Sequence, residues 1–270
     1  MTPLQAVVLS LVQALTEFLP ISSSGHLILV PYFLKWPDQG LSFDIATNTG
    51  TLLAVILFFR RDLRQLVTGF FTGEAGEGDF APRPLAWAIL LATIPAGIAG
   101  LLLHHTISAH ARNPLLIAGT TIGYGLLLLF ADRIGSEARD LAGLKISDAM
   151  LIGLGQALAL VPGTSRSGIT ITIALLLGFT RSTAARFSFL LAVPVGVLAT
   201  LYQIFKYTRG DETLGPIWAI AIAVVVSGIA GYLVIGWLLA WIRRQRLTVF
   251  VVYRLLLGAV ILATVWARGQ

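Results

Sequence analysis

The amino-acid sequence predicts an all-α integral membrane protein: six full transmembrane helices plus two re-entrant helix-loop-helix pairs, arranged as two inverted-topology repeats. Three observations carry that expectation. Of 270 residues, 56% are hydrophobic and 12% charged, and the mean hydropathy is +0.85, so there is too little polar surface to cover a soluble globule. Two polar stretches interrupt the apolar runs: Gln13 to His26, which holds Glu17 and three consecutive serines, and Gln156 to Gly168, which holds Arg166. These stretches are alike. Gln13-Ala14-Leu15 matches Gln156-Ala157-Leu158 and Gly25 matches Gly168 at one and the same sequence offset, while Pro20 and Pro162 differ by one position of register.

Taken in order, residues 2–19 predict an apolar helix of roughly 25 Å, which Pro20 ends short of a full span. A second short helix over 26–34 completes the first re-entrant pair, about 3–34, whose irregular backbone is tolerated where it lines a cavity. Full spans are expected near 42–59, 84–104 and 113–131. The polar stretch 60–83 reads as a linker. After a loop at 132–146, a second short pair (about 147–178, with helices over 147–161 and 168–178) leads to spans near 184–206, 215–241 and 247–267. The repeats are then 1–132 and 133–270, forming a single membrane domain.

Charge placement favours the re-entrant arrangement. If both short pairs return to the side they entered from, one side carries twelve Lys/Arg, from Arg60 to Arg246, and the other five: Lys35, Arg112, Lys206, Arg209 and Arg268. If each pair crossed, the split would be ten to seven. Cytoplasmic loops are the basic ones, which places both termini outside the cytoplasm. Each half then holds one re-entrant pair and three spans, an odd number, so the halves are inverted and their tips meet near the midplane. Gly97-Ile98-Ala99-Gly100 echoes Gly228-Ile229-Ala230-Gly231 in the second span of each half, a small-residue pattern that suits close helix approach.

The composition also excludes. The net charge of +6 is scattered singly or in short clusters at span ends, which argues against nucleic-acid binding. The absence of cysteine removes disulfides, zinc-thiolate sites and thiol nucleophiles. No basic residue precedes the first apolar run, which carries Glu17, so that segment is expected to stay as a working part and not as a cleaved signal.

Few residues can do chemistry. Arg166 lies in Pro162-Gly163-Thr164-Ser165-Arg166-Ser167-Gly168, and a guanidinium at membrane depth is a functional candidate by default. Glycines, hydroxyls and the start of a helix carrying Thr170 describe with it an oxyanion site, most naturally for phosphate. An Arg166–Glu17 ion pair between the tips is the structural alternative. Glu17 and Gln13, four apart on one helix face, suit a divalent cation or a general acid or base. His26 could accept a phosphoryl group, activate a hydroxyl or protonate a leaving group. Of Ser22, Ser23 and Ser24, one could be a nucleophile. His104, His105 and His110 read as solvated interfacial residues, and Asp44 and Asn48 as candidate cavity-facing groups.

At Gln13-x-x-x-Glu17 through Phe18-Leu19-Pro20-Ile21-Ser22-Ser23-Ser24-Gly25-His26, and at Pro162 through Thr170, the chain resembles the undecaprenyl-diphosphate phosphatase, or bacitracin-resistance, family of bacterial membrane proteins. The resemblance continues to Phe187-Ser188-Phe189-Leu190-Leu191-Ala192-Val193-Pro194. It implies a multi-pass protein of the bacterial inner membrane that removes the terminal phosphate of a C55 polyprenyl diphosphate at the external face. The monophosphate carrier is thereby recycled for peptidoglycan synthesis, and bacitracin resistance follows. It further implies Glu17 as the catalytic or metal-linked acid, Ser23 as nucleophile, His26 as a second catalytic group and Arg166 with Ser165 as the phosphate clamp. Ser167, Gly168 and Thr170 complete the phosphate-binding loop. The implied cofactor is Mg2+ or Ca2+, at Glu17 and Gln13. Many members have glutamate where this chain has Gln13, so a cation held by two acids is not expected here. Polyprenyl diphosphate and membrane lipid are the expected partners, nucleic acid is not, and a homodimer is left open. The rival reading is a polyprenyl-phosphate flippase or anionic-solute carrier, since inverted repeats with broken helices are a transporter signature.

Overall fold

The computed structural model describes residues 1–73, 79–110, 113–210 and 215–267, with the side chains of 104–110 excepted. His104, His105 and His110 therefore fall outside the described side chains. The described chain is helical: α1 Pro3–Phe18, α2 Ser23–Leu34, α3 Leu41–Phe58, α4 Arg60–Thr72, α5 Pro82–His110, α6 Pro114–Ile134, α7 Ile146–Leu158, α8 Arg166–Leu176, α9 Arg181–Thr208, α10 Ile217–Ile242 and α11 Thr248–Ala267. Among the described residues no strand forms. Six helices, α3, α5, α6, α9, α10 and α11, are long and apolar enough to cross a membrane, while α1, α2, α7 and α8 are short. This is a multi-pass membrane architecture.

Local chemistry sets the short helices. Thr2 caps α1 in a reciprocal box with Gln5, Pro3 occupies the first turn, and the chain leaves helical geometry at Leu19, ahead of Pro20. Both α2 and α8 begin directly after a serine held at positive φ: Ser22 at φ 76°, ψ 98° and Ser165 at φ 71°, ψ 117°. These two serines stand at the same sequence offset as Gly25 and Gly168.

Packing joins the short helices to the long ones, with α2 on α1 and α8 on α6, α7 and α9. The first short helix, α1, lies along α10, and α7 lies along α5, while α6 packs on α11 and α8, and α3 on α10 and α9. Glycines make the close crossings. A Cβ on Gly50 would sit 2.0 Å from Ser227 Oγ and 2.4 Å from the Val224 carbonyl, and one on Gly153 would sit 2.3 Å from the Ala92 carbonyl. The glycine echo behaves unequally. Gly228 and Gly231 are packed against Gly50, Phe18 and Ala54, whereas a Cβ on Gly97 or Gly100 would meet nothing within 4 Å. Phe18 meets Phe189 edge-on, with centroids 5.5 Å apart, in the main core between the tips and α9.

Ion pairs join the helix ends at one pole. Arg181 on α9 binds Asp132 in the last turn of α6 and Glu137 beyond it at 2.6 and 2.8 Å, and the Leu247 N–H before α11 donates to Asp132. Arg186 binds Asp62 on α4 and Asp79 before α5 at 2.9 and 2.8 Å. The chain entering α7 is tied to the chain leaving α8: the Arg139 N–H donates to the Gly178 carbonyl, and the Thr180 N–H donates to the Arg139 carbonyl. The first half of the expected 60–83 linker is instead helix α4. Its inward side carries Asp62, which pairs with Arg186, and the buried Leu66 and Gly69, while Arg60, Arg61 and Arg64 are exposed.

Candidate active site

The ends of α1, α2 and α8 converge on one carboxylate. Glu17 lies in the last turn of α1, Ser23 is the first residue of α2, and Arg166 is the first residue of α8. Arg166 Nη2 donates to Glu17 Oε1 at 2.8 Å, and Ser23 Oγ donates to Glu17 Oε2 at 2.6 Å. Gln13, one turn below Glu17, donates from Nε2 to Glu17 Oε2 at 2.9 Å and to Asn48 Oδ1 on α3 at 3.0 Å. A cleft of about 290 Å³ opens over Glu17, Asn48 and Arg166, with its walls running along apolar side chains of α3 and α9 that include Val55 and Val195.

The rest of the expected phosphate loop has other work. Ser165 Oγ accepts from the Gly168 N–H at 3.1 Å and caps α8. Ser167, 1% exposed, donates to the Leu19 carbonyl at 3.1 Å and so ties the second tip to the end of α1. Thr170 is fully buried, 2.7 Å from Ser188 Oγ on α9. Of the five residues expected to hold phosphate, only Arg166 lines the cleft. His26 also faces elsewhere: Nδ1 is 2.6 Å from the Ser22 carbonyl oxygen, and Nε2 is 2.6 Å from the Tyr253 hydroxyl on α11.

One residue absent from the sequence-based set organises both tips. Arg254 on α11 is fully buried, and its guanidinium donates to five backbone carbonyls. Pro20 belongs to the first tip, Gly163 and Thr164 to the second, and Thr120 and Thr121 to α6. Five N–H donors meet five acceptors, so the planar fork is saturated without a carboxylate. The signal was present: Arg254 is a charge well inside an apolar span, the same mark that singled out Arg166.

Sequence comparison supplies the family. The profile described as bacitracin resistance protein BacA matches residues 6–260, nearly the whole chain. The chain belongs to the BacA family. Curated BacA-like relatives named undecaprenyl-diphosphatase include one from Thioalkalivibrio sulfidiphilus, 49% identical over 262 residues that cover 97% of this chain and 98% of that one. Another, from Saccharophagus degradans, is 51% identical over 267 residues, covering 97% and 98%. A protein named undecaprenyl-diphosphatase 2 from Stutzerimonas stutzeri is 48% identical over 263 residues, covering 96% and 97%.

The oxygens of this BacA-family site bear on whether it suits a divalent cation. Among the described residues no three His, Cys, Asp or Glu cluster, so an all-protein cage of acids is not built. What the site offers is the Glu17 carboxylate, the Asn48 carbonyl oxygen and Gln13 Oε1, a buried acceptor with no protein donor. Magnesium is commonly held by one or two carboxylates with substrate phosphates completing its octahedron. Gln13 turns its Nε2 and not its Oε1 toward Glu17 and Asn48, so one carboxylate and two amide oxygens would fit that pattern beside a diphosphate only with the Gln13 amide turned over.

Proposed function

We propose that this BacA-family protein hydrolyses undecaprenyl diphosphate to undecaprenyl phosphate and inorganic phosphate, with Ser23 as nucleophile, Glu17 as its base and Arg166 as the phosphate clamp. The observation that carries the reading is that one carboxylate holds both a serine hydroxyl and an arginine, at the wall of an apolar cleft. Hydroxyl, base and cation are the parts that phosphoryl transfer requires.

In this mechanism the isoprenoid tail runs along the apolar walls of α3 and α9. Arg166 shares its guanidinium between Glu17 and the distal phosphate. The first-turn N–H groups of α2 and α8 face the same anion, because both helices begin at the reacting residues. Ser23 Oγ attacks the distal phosphorus as its proton passes to Glu17 Oε2. The P–O anhydride bond breaks, and its electron pair leaves with the lipid monophosphate. Water then attacks the phosphoserine, a proton returns to Ser23 through Glu17, and inorganic phosphate departs. A magnesium or calcium ion held by Glu17, Asn48 and Gln13 would neutralise diphosphate charge in the transition state.

We further infer that both short pairs are re-entrant and that the halves are inverted repeats. Support comes from the hydrogen-bonded ends of the second pair, from serines of like backbone geometry at matching positions of the two tips, and from the exchange of packing partners, α1 on α10 and α7 on α5. With the pole of ion pairs and basic loops in the cytoplasm, both termini lie on the external side of the inner membrane.

The test is phosphate release from undecaprenyl diphosphate by purified protein in detergent. Release by wild type and its collapse in folded Ser23→Ala and Arg166→Ala proteins is the expected result. Retained lipid binding without release would move the assignment to a carrier.

A further inference from the structure

Both ring nitrogens of His26 are engaged. The Ser22 carbonyl can only accept, so Nδ1 carries a proton and donates to it, while Nε2 is hydrogen-bonded to the Tyr253 hydroxyl, which accepts from the charged ring and donates to the neutral one. The two rings also stack, with centroids 5.6 Å apart and planes 14° apart. An imidazole held this way at both ends is a strut, and the residue it braces is the strained one.

Ser22 sits at φ 76°, ψ 98°, a conformation that a serine rarely adopts and that persists only where the surroundings enforce it. The second tip shows how the same turn is held without a histidine. There the Ser165 carbonyl accepts the Ile169 N–H at 2.9 Å, the Ser165 side chain accepts the Gly168 N–H, and Arg254 fastens the Gly163 and Thr164 carbonyls just before it. At Ser22 the matching backbone bond, from the His26 N–H, is stretched to 3.4 Å, and the serine side chain makes no capping bond. The imidazole N–H supplies the missing restraint on that carbonyl. The next residue is Ser23, whose hydroxyl must meet Glu17 at 2.6 Å.

We propose that His26 and Tyr253 are a positioning pair: Tyr253 locks the imidazole, the imidazole clamps the Ser22 carbonyl, and the clamp presents Ser23 to Glu17. Neither ring exchanges a proton with the substrate. The inference rests on Ser23 being the nucleophile, and it changes His26 from a catalytic group into one that acts through its neighbour.

His26→Asn separates the two roles, because the asparagine amide places an N–H donor where Nδ1 stood and deletes Nε2. His26→Ala deletes both, and Tyr253→Phe keeps the stacked ring but removes the hydroxyl. For each variant, kcat, KM and the pH profile of phosphate release are measured in detergent, with thermal unfolding as the control for folding. His26→Ala is expected to lose about 10²-fold or more in kcat, a loss as large as that of a removed acid-base group. His26→Asn is expected to recover at least about tenfold of that loss, with a pH profile of wild-type shape and an unchanged KM. A folded His26→Asn protein as inactive as His26→Ala, or one missing a limb of the wild-type profile, would overturn the proposal. If neither His26 variant folds, Tyr253→Phe decides: lowered kcat on an unchanged profile supports the strut, and a displaced limb overturns it. Ser23→Ala in the same series keeps the failures apart, since wild-type turnover there would sink the nucleophile assignment whatever His26 does.

Discussion

Replacing Arg254 by lysine keeps the charge and removes the fork, and the structure sets the size of the effect. The guanidinium satisfies five carbonyls; an ammonium has three donors. At least two carbonyls therefore lose this donor; the Thr120 and Thr121 carbonyls keep their helical N–H partners, so with two of the tip carbonyls of Pro20, Gly163 and Thr164 released the cost is about 1–3 kcal/mol each, or roughly 2–6 kcal/mol in all. At about 2–4 °C per kcal/mol for a chain of this size, Tm should fall on the order of 5–20 °C. Three of the five carbonyls belong to the tips and two to α6. Pro20 lies three residues before Ser23, and Thr164 two before Arg166, so a carbonyl released on either tip loosens a residue of the proposed site. Phosphate release by the folded fraction should fall at least about tenfold, as expected when positioning is lost by an ångström or less. Thermal unfolding in detergent and the release assay, run on the same preparation, provide the check. A Tm within about 2 °C of wild type together with full turnover would show that the fork is not what holds the tips, and would refute the reasoning.

Further perturbations test separate parts of the site. Glu17→Gln removes the base while keeping the shape, and should lower kcat about 10²–10⁴-fold, read in the release assay at saturating lipid. Gln13→Glu adds a second carboxylate beside Glu17, so half-maximal activity in a magnesium titration should come at a lower concentration; an unchanged requirement would place the ion elsewhere. Gly153→Val sets side-chain atoms against the Ala92 backbone, where a Cβ alone would lie 2.3 Å from the carbonyl oxygen, and should push α7 off α5 and lower Tm by at least several degrees. Gln156 is 2% exposed and both its amide atoms lack a protein partner, so Gln156→Leu should hold or raise Tm and leave phosphate release unchanged. A lowered Tm would mean that the amide is satisfied by a bound water.

Much of the fold could be read from hydrophobic run length and proline placement. The short helix expected over 2–19 runs Pro3–Phe18, and each of the six long helices overlaps an expected span. The short helices that follow the tips start earlier than expected, and this is where the proposed chemistry lies. Ser22 and Ser165 adopt positive φ, which residue type predicts for glycine and not for serine, so Ser23 and Arg166 become first helical residues instead of loop residues. That conformation is imposed by tertiary bonds that no local pattern reveals. The Glu17–Arg166 pair was anticipated as a structural alternative to a phosphate clamp, and the geometry makes both readings compatible, since one guanidinium can face carboxylate and substrate. The partners of His26 were not legible, because Tyr253 is 227 residues away. Arg254 could have been found by the rule already applied to Arg166, and α4 was hidden by four charges in its first five residues.

The two tips share a backbone turn and differ in the side chains they carry. At matching positions of the two stretches, Ser22 and Ser165 share a strained turn, Gly25 matches Gly168, and Ser24 matches Ser167. Where the tips differ, each supplies what the other lacks: Ser23 against Arg166, Glu17 against Leu160, and His26 against Ile169. Gln13 and Gln156 mark the divergence most clearly. Gln13 donates to Glu17 one turn away, whereas Gln156, with Leu160 at that position, has no side-chain partner. On the proposed mechanism the N-termini of α2 and α8 serve the same anion, which would favour phosphate before any side chain is chosen. With the proposed nucleophile and base on one tip and the proposed clamp on the other, activity would depend on the tips being held together. Arg254 reaches both of them from α11, and it does so through carbonyls alone, so it fixes their separation without drawing Glu17 away from Ser23.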